Sequence, residues 1–264
     1  MRFTTRRPPA ILAPYVDVLW RFEGEFAHAR ERILPHPTMQ LIVNLDEDEM
    51  RWYDGPGYAR THRLSGAVVC GLFSRHFAID TAEQRAVCGA SFKPGAAGAF
   101  LAPPADEFHD AHVDLDDVWG RAQLRARLLE APRGDVLATL EQILIERLRA
   151  RDRDPAIEFA VRALDGGAQV GAVTDRLGMS PARFIRRFAA AVGLTPKRYA
   201  RVRRFGRVLR SVEAGRAVDW TRVAQDCGYY DQAHLIHEFR DFSGVCPTRY
   251  SPRSPGDPHH VILD

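Results

Sequence analysis

Two stretches of the chain carry the same residue types at nearly the same spacing. One runs Val173, Gly178, Phe188, Gly193, Pro196 and Tyr199. The other runs Val223, Gly228, Phe239, Gly244, Pro247 and Tyr250, with one extra residue ahead of its Phe. A repeated spacing asks for a repeated structural unit. Within each unit stand side chains that can form paired hydrogen bonds, Arg186 as a fork of donors and Gln232 as donor and acceptor together. Ala182 and Ile185 beside them offer only apolar contact.

Each unit reads as helix, tight turn, helix. Gly178 and Gly228 supply the turns, where a positive φ is needed. Ser180 is the N-cap of the following helix, with Pro181 at its first position. Asp231 is the corresponding cap in the second unit. Phe184 and Phe188 lie four apart and predict a buried face; Leu235 and Phe239 do the same in the second copy. The opposite faces then carry Ala182, Ile185, Arg186 and Ala189, and Gln232, Ala233, Ile236, His237 and Arg240. This is the helix-turn-helix pattern. Between the copies, Lys197 to Arg210 predicts a helix with Val202, Phe205 and Leu209 on its apolar side. Its cations would meet phosphates, which position a protein on DNA without reading sequence.

Charge agrees with this division. The chain has 264 residues and a formal charge of +3. Residues 155–253 hold 17 Lys and Arg against 9 Asp and Glu, while residues 1–154 hold 20 against 23. A basic C-terminal part points to a polyanion, and the acidic remainder to another task.

The N-terminal part must carry that other task. Val18–Phe22, Met39–Leu45, Gly66–Phe73, Phe77–Ile79 and Ala86–Phe92 read as short strands separated by turn clusters, as in a sandwich or barrel. Helical spacing follows, predicting helices over 116–130 and 134–150. Residues 149–155 are charged, end in Pro and read as a linker. Residues 254–264, rich in Pro and His, read as a disordered tail. The fold class is thus α+β and multidomain: a β-rich barrel- or sandwich-like domain with two trailing helices (1–150), then an all-α domain (155–253).

Other chemistry finds little support. No run of 18 apolar residues offers a membrane span, and no leader-type apolar stretch follows Met1. Cys70, Cys88, Cys227 and Cys246 show no CxxC spacing, which fits a reducing cytoplasm. His109 and His112 lie i, i+3 among acids, but no matching third ligand stands near them. No phosphate loop, paired-carboxylate motif or nucleophile elbow occurs. No enzyme activity, metal or cofactor is expected. A competing reading makes Cys70 and Cys88 a covalent redox or alkylation sensor, which would need an activated thiolate.

Residues 155–252 resemble the C-terminal domain of the AraC/XylS family of bacterial transcription regulators. The carrying residues are both repeats, above all Gly228-Tyr229-Tyr230-Asp231-Gln232-Ala233-His234-Leu235 and the run from Phe239-Arg240 through Phe242 and Gly244 to Pro247 and Tyr250. The resemblance implies a seven-helix, bipartite domain on promoter DNA. It places base reading on Ala182, Ile185, Arg186, Gln232, Ala233, Ile236 and His237. It places DNA-backbone contacts on Ser180, Arg183, Arg187, Lys197, Arg198, Arg201, Tyr230, Asp231, Arg240, Thr248 and Arg249. The family often has Arg where His237 stands. Arg32–Pro35, Leu41–Leu45, Phe92–Ala97 and Asp117–Gly120 resemble β-rich N-terminal domains of one branch of the family. Such domains sense small molecules, dimerise or both. Beyond double-stranded DNA, the resemblance implies RNA polymerase, a small-molecule effector and a second copy of the chain as partners, with activation as the family habit.

Overall fold

The computed structural model describes all residues except 122, 133, 150–152, 213–217, 255 and 264. Ten strands come first: β1 (Arg2–Arg6), β2 (Val16–Glu23), β3 (Arg30–Ile33), β4 (Gln40–Asn44), β5 (Met50–Asp54), β6 (Arg60–Leu64), β7 (Ala67–Cys70), β8 (Phe77–Asp80), β9 (Ala86–Phe92) and β10 (His112–Asp114). Three helices trail them: α1 (Leu115–Trp119), α2 (Leu124–Glu130) and α3 (Val136–Arg147). Six more form the C-terminal part: α4 (Pro155–Asp165), α5 (Val170–Arg176), α6 (Pro181–Val192), α7 (Pro196–Ser211), α8 (Trp220–Cys227) and α9 (Gln232–Ser243). A last strand, β11 (His260–Leu263), closes the described chain.

The strands make two antiparallel sheets, ordered β1-β2-β9-β4-β7-β10 and β11-β3-β8-β5-β6. Strand β9 is central in the first sheet, and six of its seven residues are buried. That explains its near-continuous apolar run, since both of its faces are covered. The close approach of its neighbours requires Gly89: a Cβ there would sit 2.2 Å from the Leu41 carbonyl oxygen. Helix α3 packs on β2, burying Val136, Leu137, Leu140, Ile143 and Leu144.

Three sequence expectations change. The helix expected over 116–130 is two, α1 and α2, because Gly120 adopts φ 68 and ψ −172, a conformation that only Gly takes readily. The helix expected over 134–150 spans Val136–Arg147. The tail expected to be disordered instead ends in β11, paired with β3 in the register Val261↔Arg32. Long-range backbone pairing to an open sheet edge overrides its turn-prone composition. The expected linker 149–155 falls partly outside the described residues, at 150–152.

One continuous hydrophobic core joins the two parts, running from Leu12 to Tyr250. A smaller cluster of Ile33, Trp52, Cys70, Phe73 and Phe77 lies apart within the β domain.

Candidate nucleic-acid interface

Local chemistry builds both helix-turn-helix units. Helix α5 ends before Gly178, which takes φ 61. The Ser180 side chain accepts from the Arg183 backbone N–H, and Pro181 opens α6. Helix α6 buries Phe184, Phe188 and Val192 and stops at Gly193 in the left-handed region. In the second unit Asp219 caps α8, Gly228 turns at φ 79, and Asp231 accepts from the His234 N–H at 2.7 Å. Helix α9 buries Leu235, Phe239 and Phe242 and stops at Gly244, φ 71. The seven helices implied by the resemblance appear as the six α-helices α4–α9 and a 3₁₀ turn at Pro247–Arg249, among the described residues.

Helix α7 connects the units. Its sixteen residues span about 24 Å. Thr195 caps it, and it buries Tyr199, Val202, Phe205, Val208 and Leu209. Phe205 meets Phe239 and Phe242 of the second unit with ring centroids 5.2 and 5.0 Å apart, and Phe188 of the first unit meets Tyr199 at 5.5 Å.

The residues expected to read bases lie on the open sides of α6 and α9. Ala182, Ile185 and Arg186 are exposed, with Ile185 at 43%. Gln232, Ala233 and His237 are exposed, while Ile236 is half-buried. The His237 Nδ1 lies 3.6 Å from the Asp241 carboxylate. Tyr230, 92% exposed, projects just ahead of α9.

The residues expected on the DNA backbone divide. Arg183, Lys197, Thr248 and Arg249 are exposed. Ser180 and Asp231 have their side chains in the caps. Arg187 reaches Asp154 at 2.6 Å, Arg198 lies 3.3 Å from the His109 Nε2, and Arg240 donates to the Cys246 Sγ. Arg201, half-buried, is engaged within the protein. It binds Glu238 at 2.7 Å and Asp241 at 3.4 Å, with its guanidinium over the Phe242 ring. Its neighbours on α7 behave likewise: Arg204 binds Glu238 at 2.9 Å and Arg203 binds Asp165 at 2.7 Å. Arg207 donates to the carbonyls of Asp165 and Cys227. Arg201, Arg203 and Arg204 tie α7 to α9 and α4 because the buried Glu238 and the half-buried Asp165 face them. Glu238 is 3% exposed; burial would raise its carboxyl, but hydrogen bonds from Arg204 and Arg201 hold it below the usual range.

One contact has no counterpart in the sequence reading. The Thr221 hydroxyl, in the first turn of α8, donates to the Gln232 Oε1 at 3.1 Å. Only the pairing of the two helices brings these residues together.

The cysteines and histidines that offered alternative chemistry lie in apolar or cationic surroundings. Cys70 and Cys88 are buried, and burial pushes each thiol up to about 12. A thiol so placed is inert rather than activated. His109 and His112 do not converge on one point: His109 faces Arg198, while the His112 ring packs against Trp52, Phe73 and Phe77. Among the described residues no group of three or more His, Cys, Asp or Glu is arranged to hold a metal ion. No helix among them is long and apolar enough to cross a membrane.

A groove of about 450 Å³ lies between the two parts, lined by Ser74, Arg75 and His76 on one side and Arg198, Arg201 and Asp241 on the other.

Residues 173–253 match a helix-turn-helix domain family, and residues 4–114 match a domain of unknown function, DUF6597. No curated protein matches the chain. Among solved structures, ToxT from Vibrio cholerae O395 is similar over 94% of this chain and 96% of its own, at 8% identity and a TM-score of 0.46. Unsaturated fatty acid-bound ToxT from Vibrio cholerae strain SCE256 is similar over 95% and 96%, at 9% identity and a TM-score of 0.43. The xylose-binding transcription activator XylR is similar over 43% of this chain and 36% of its own, at 20% identity and a TM-score of 0.30.

Proposed function

From the premise that the C-terminal part is an AraC-type helix-turn-helix domain of a DNA-binding transcription regulator, with a DUF6597 domain before it, we propose that the chain reads a bipartite promoter site in double-stranded DNA. The observation that carries this is the pair of exposed faces, Ala182-Ile185-Arg186 on α6 and Gln232-Ala233-His237 on α9, both borne by α7. Two such helices held on one rigid element can enter successive major grooves, about 34 Å apart.

Arg186 pairs with guanine and Gln232 with adenine; Ile185 and Ala182 meet thymine methyls. Arg183, Lys197, Tyr230, Thr248 and Arg249 contact phosphates and set register, with the Arg198 and Arg240 guanidiniums at the edges of that footprint. The exposed cap residues Ser180 and Asp231 present their helix N-termini, whose free N–H groups favour a phosphate oxygen. The β domain takes a small-molecule effector, and the groove between the parts is the space through which occupancy would alter their packing. The reader works in the cytoplasm, and its output is activation.

In-vitro selection from a random duplex library with the full-length chain tests this. The expected result is an enriched motif with two half-sites about one helical turn apart. Equal affinity for all duplexes, with a salt slope set by phosphates alone, would leave only non-specific binding.

A further inference from the structure

The C-terminal segment crosses back to the β domain and completes its second sheet. Strand β11 pairs antiparallel with β3, matching His260 with Ile33, Val261 with Arg32, Ile262 with Glu31 and Leu263 with Arg30. Three further main-chain or tyrosine bonds hold the approach. The Leu34 N–H donates to the His259 carbonyl at 2.8 Å and the Arg253 N–H to the His260 carbonyl at 2.7 Å. The Tyr250 hydroxyl donates to the Pro258 carbonyl.

A buried acid lies at the centre of this junction. Glu31 is 1% exposed and takes bonds from three cationic or imidazole groups: Arg253 at 2.9 Å, His260 Nδ1 at 2.7 Å and His28 Nε2 at 2.7 Å. Two of the three come from the C-terminal segment, more than 200 residues away. An acid so enclosed needs its partners, because stripping one leaves a buried charge uncompensated. Arg253 also binds Asp257 at 2.8 Å and lies over the Phe26 ring. Nearby, Arg32 of β3 donates to the carbonyl of Ser243, the last residue of α9. The same strand thus holds both the segment beyond the second unit and the carboxyl end of its recognition helix.

We propose that the edge of β3 is a strand-docking surface, and that residues 256–263 are its exchangeable occupant, a clasp that fastens the DNA-binding part to the β domain. The partner it fits is an extended segment with two imidazoles followed by aliphatic residues. The chain supplies that segment itself. Beside the clasp, Arg32 of β3 and Arg253 hold the rear of the second unit, while the exposed face of α9 stays free. Four residue pairs are few for a strand, and the joint relies on ion pairs at one carboxylate, so a competing strand can displace it. An unoccupied β3 would be an open edge that invites pairing.

The test is a titration of a labelled peptide of residues 256–263 against a chain ending at Ser254 and against the full-length chain. Saturable binding is expected to the short chain and at least about tenfold weaker binding to the full-length chain, whose tethered strand competes at high effective concentration. A scrambled peptide should not bind, and Glu31→Gln in the short chain should weaken binding. No saturable binding to the folded short chain, or equal binding of the scrambled peptide, overturns the proposal. Should the short chain fail to fold, amide exchange in full-length Arg253→Gln decides it. Faster exchange confined to β3 and β11 supports the clasp, and unchanged exchange there refutes it.

Discussion

Thr221 and Gln232, eleven residues apart on different helices, are joined by a hydrogen bond of 3.1 Å from the threonine hydroxyl to the glutamine Oε1. The bond fixes which end of the amide faces the solvent. A carbonyl oxygen has two lone pairs, so Oε1 can still accept from adenine N6 while Nε2 donates to N7. If Gln232 reads a base as proposed, Thr221 positions it. Thr221→Val keeps the shape and removes the donor. It should weaken discrimination at the base facing Gln232 by about 1 kcal/mol, and Thr221→Ser should restore it. Competition between duplexes differing at that base pair measures this. An equal loss on every duplex would make the threonine merely structural.

Arg186 is exposed on α6 beside Ile185. Arg186→Ala should cost about 1–3 kcal/mol on the preferred duplex and relax the choice at one base pair. Arg183→Ala, at a proposed phosphate contact, should instead weaken all duplexes alike and reduce the salt slope by about one. Titrations at several salt concentrations separate the two behaviours.

Glu238 anchors Arg201 and Arg204 to α9. Glu238→Ala should destabilise the chain by about 1.5–3 kcal/mol, because two partly exposed cations lose their common acid. The control is Asp226→Ala, whose contact with Arg222 at 3.6 Å is solvated on both sides and should change stability by less than about 0.5 kcal/mol. Thermal unfolding of the two variants gives the comparison; similar melting temperatures would refute the staple.

Acid should loosen the β domain and the clasp first. Burial pushes His36 down to about 4, and His112 and His259 down to about 3; neighbouring His36, His62 and His260 add to the effect. The unfolded chain takes up protons at these groups below pH 6.5 while the folded chain does not. Stability is full above that pH and falls as pH drops toward 4, by at most about 1.4 kcal/mol per pH unit per group. Glu31 adds a lower window. Burial alone would raise it, but His260, His28 and Arg253 hold it at about 2. Its contribution is present above 4.5 and is lost as pH falls toward 2. Denaturant titrations at pH 7.5, 5.5 and 4.5 should show this decline, with amide exchange rising in β3 and β11 before α4–α7. A flat profile would contradict it.

What the sequence determined by itself was local. The caps Ser180 and Asp231, Pro181, the turn glycines Gly178 and Gly228, and the buried pairs Phe184–Phe188 and Leu235–Phe239 depend on backbone preference and helical period within a dozen residues. The same holds for the central strands, whose apolar runs advertise burial on both faces. The charged edges were silent: Arg30-Glu31-Arg32 and Arg60-Thr61-His62-Arg63 are strands only because neighbours supply their hydrogen bonds. Tertiary structure alone decided that the α7 arginines face Glu238 and Asp165 rather than solvent. It alone aligned Thr221 with Gln232 and returned the C-terminal segment to Glu31. The physical reason is common to all three: a hydrogen-bond donor does not encode its acceptor when hundreds of residues of chain, or the crossing of two helices, must first bring them together.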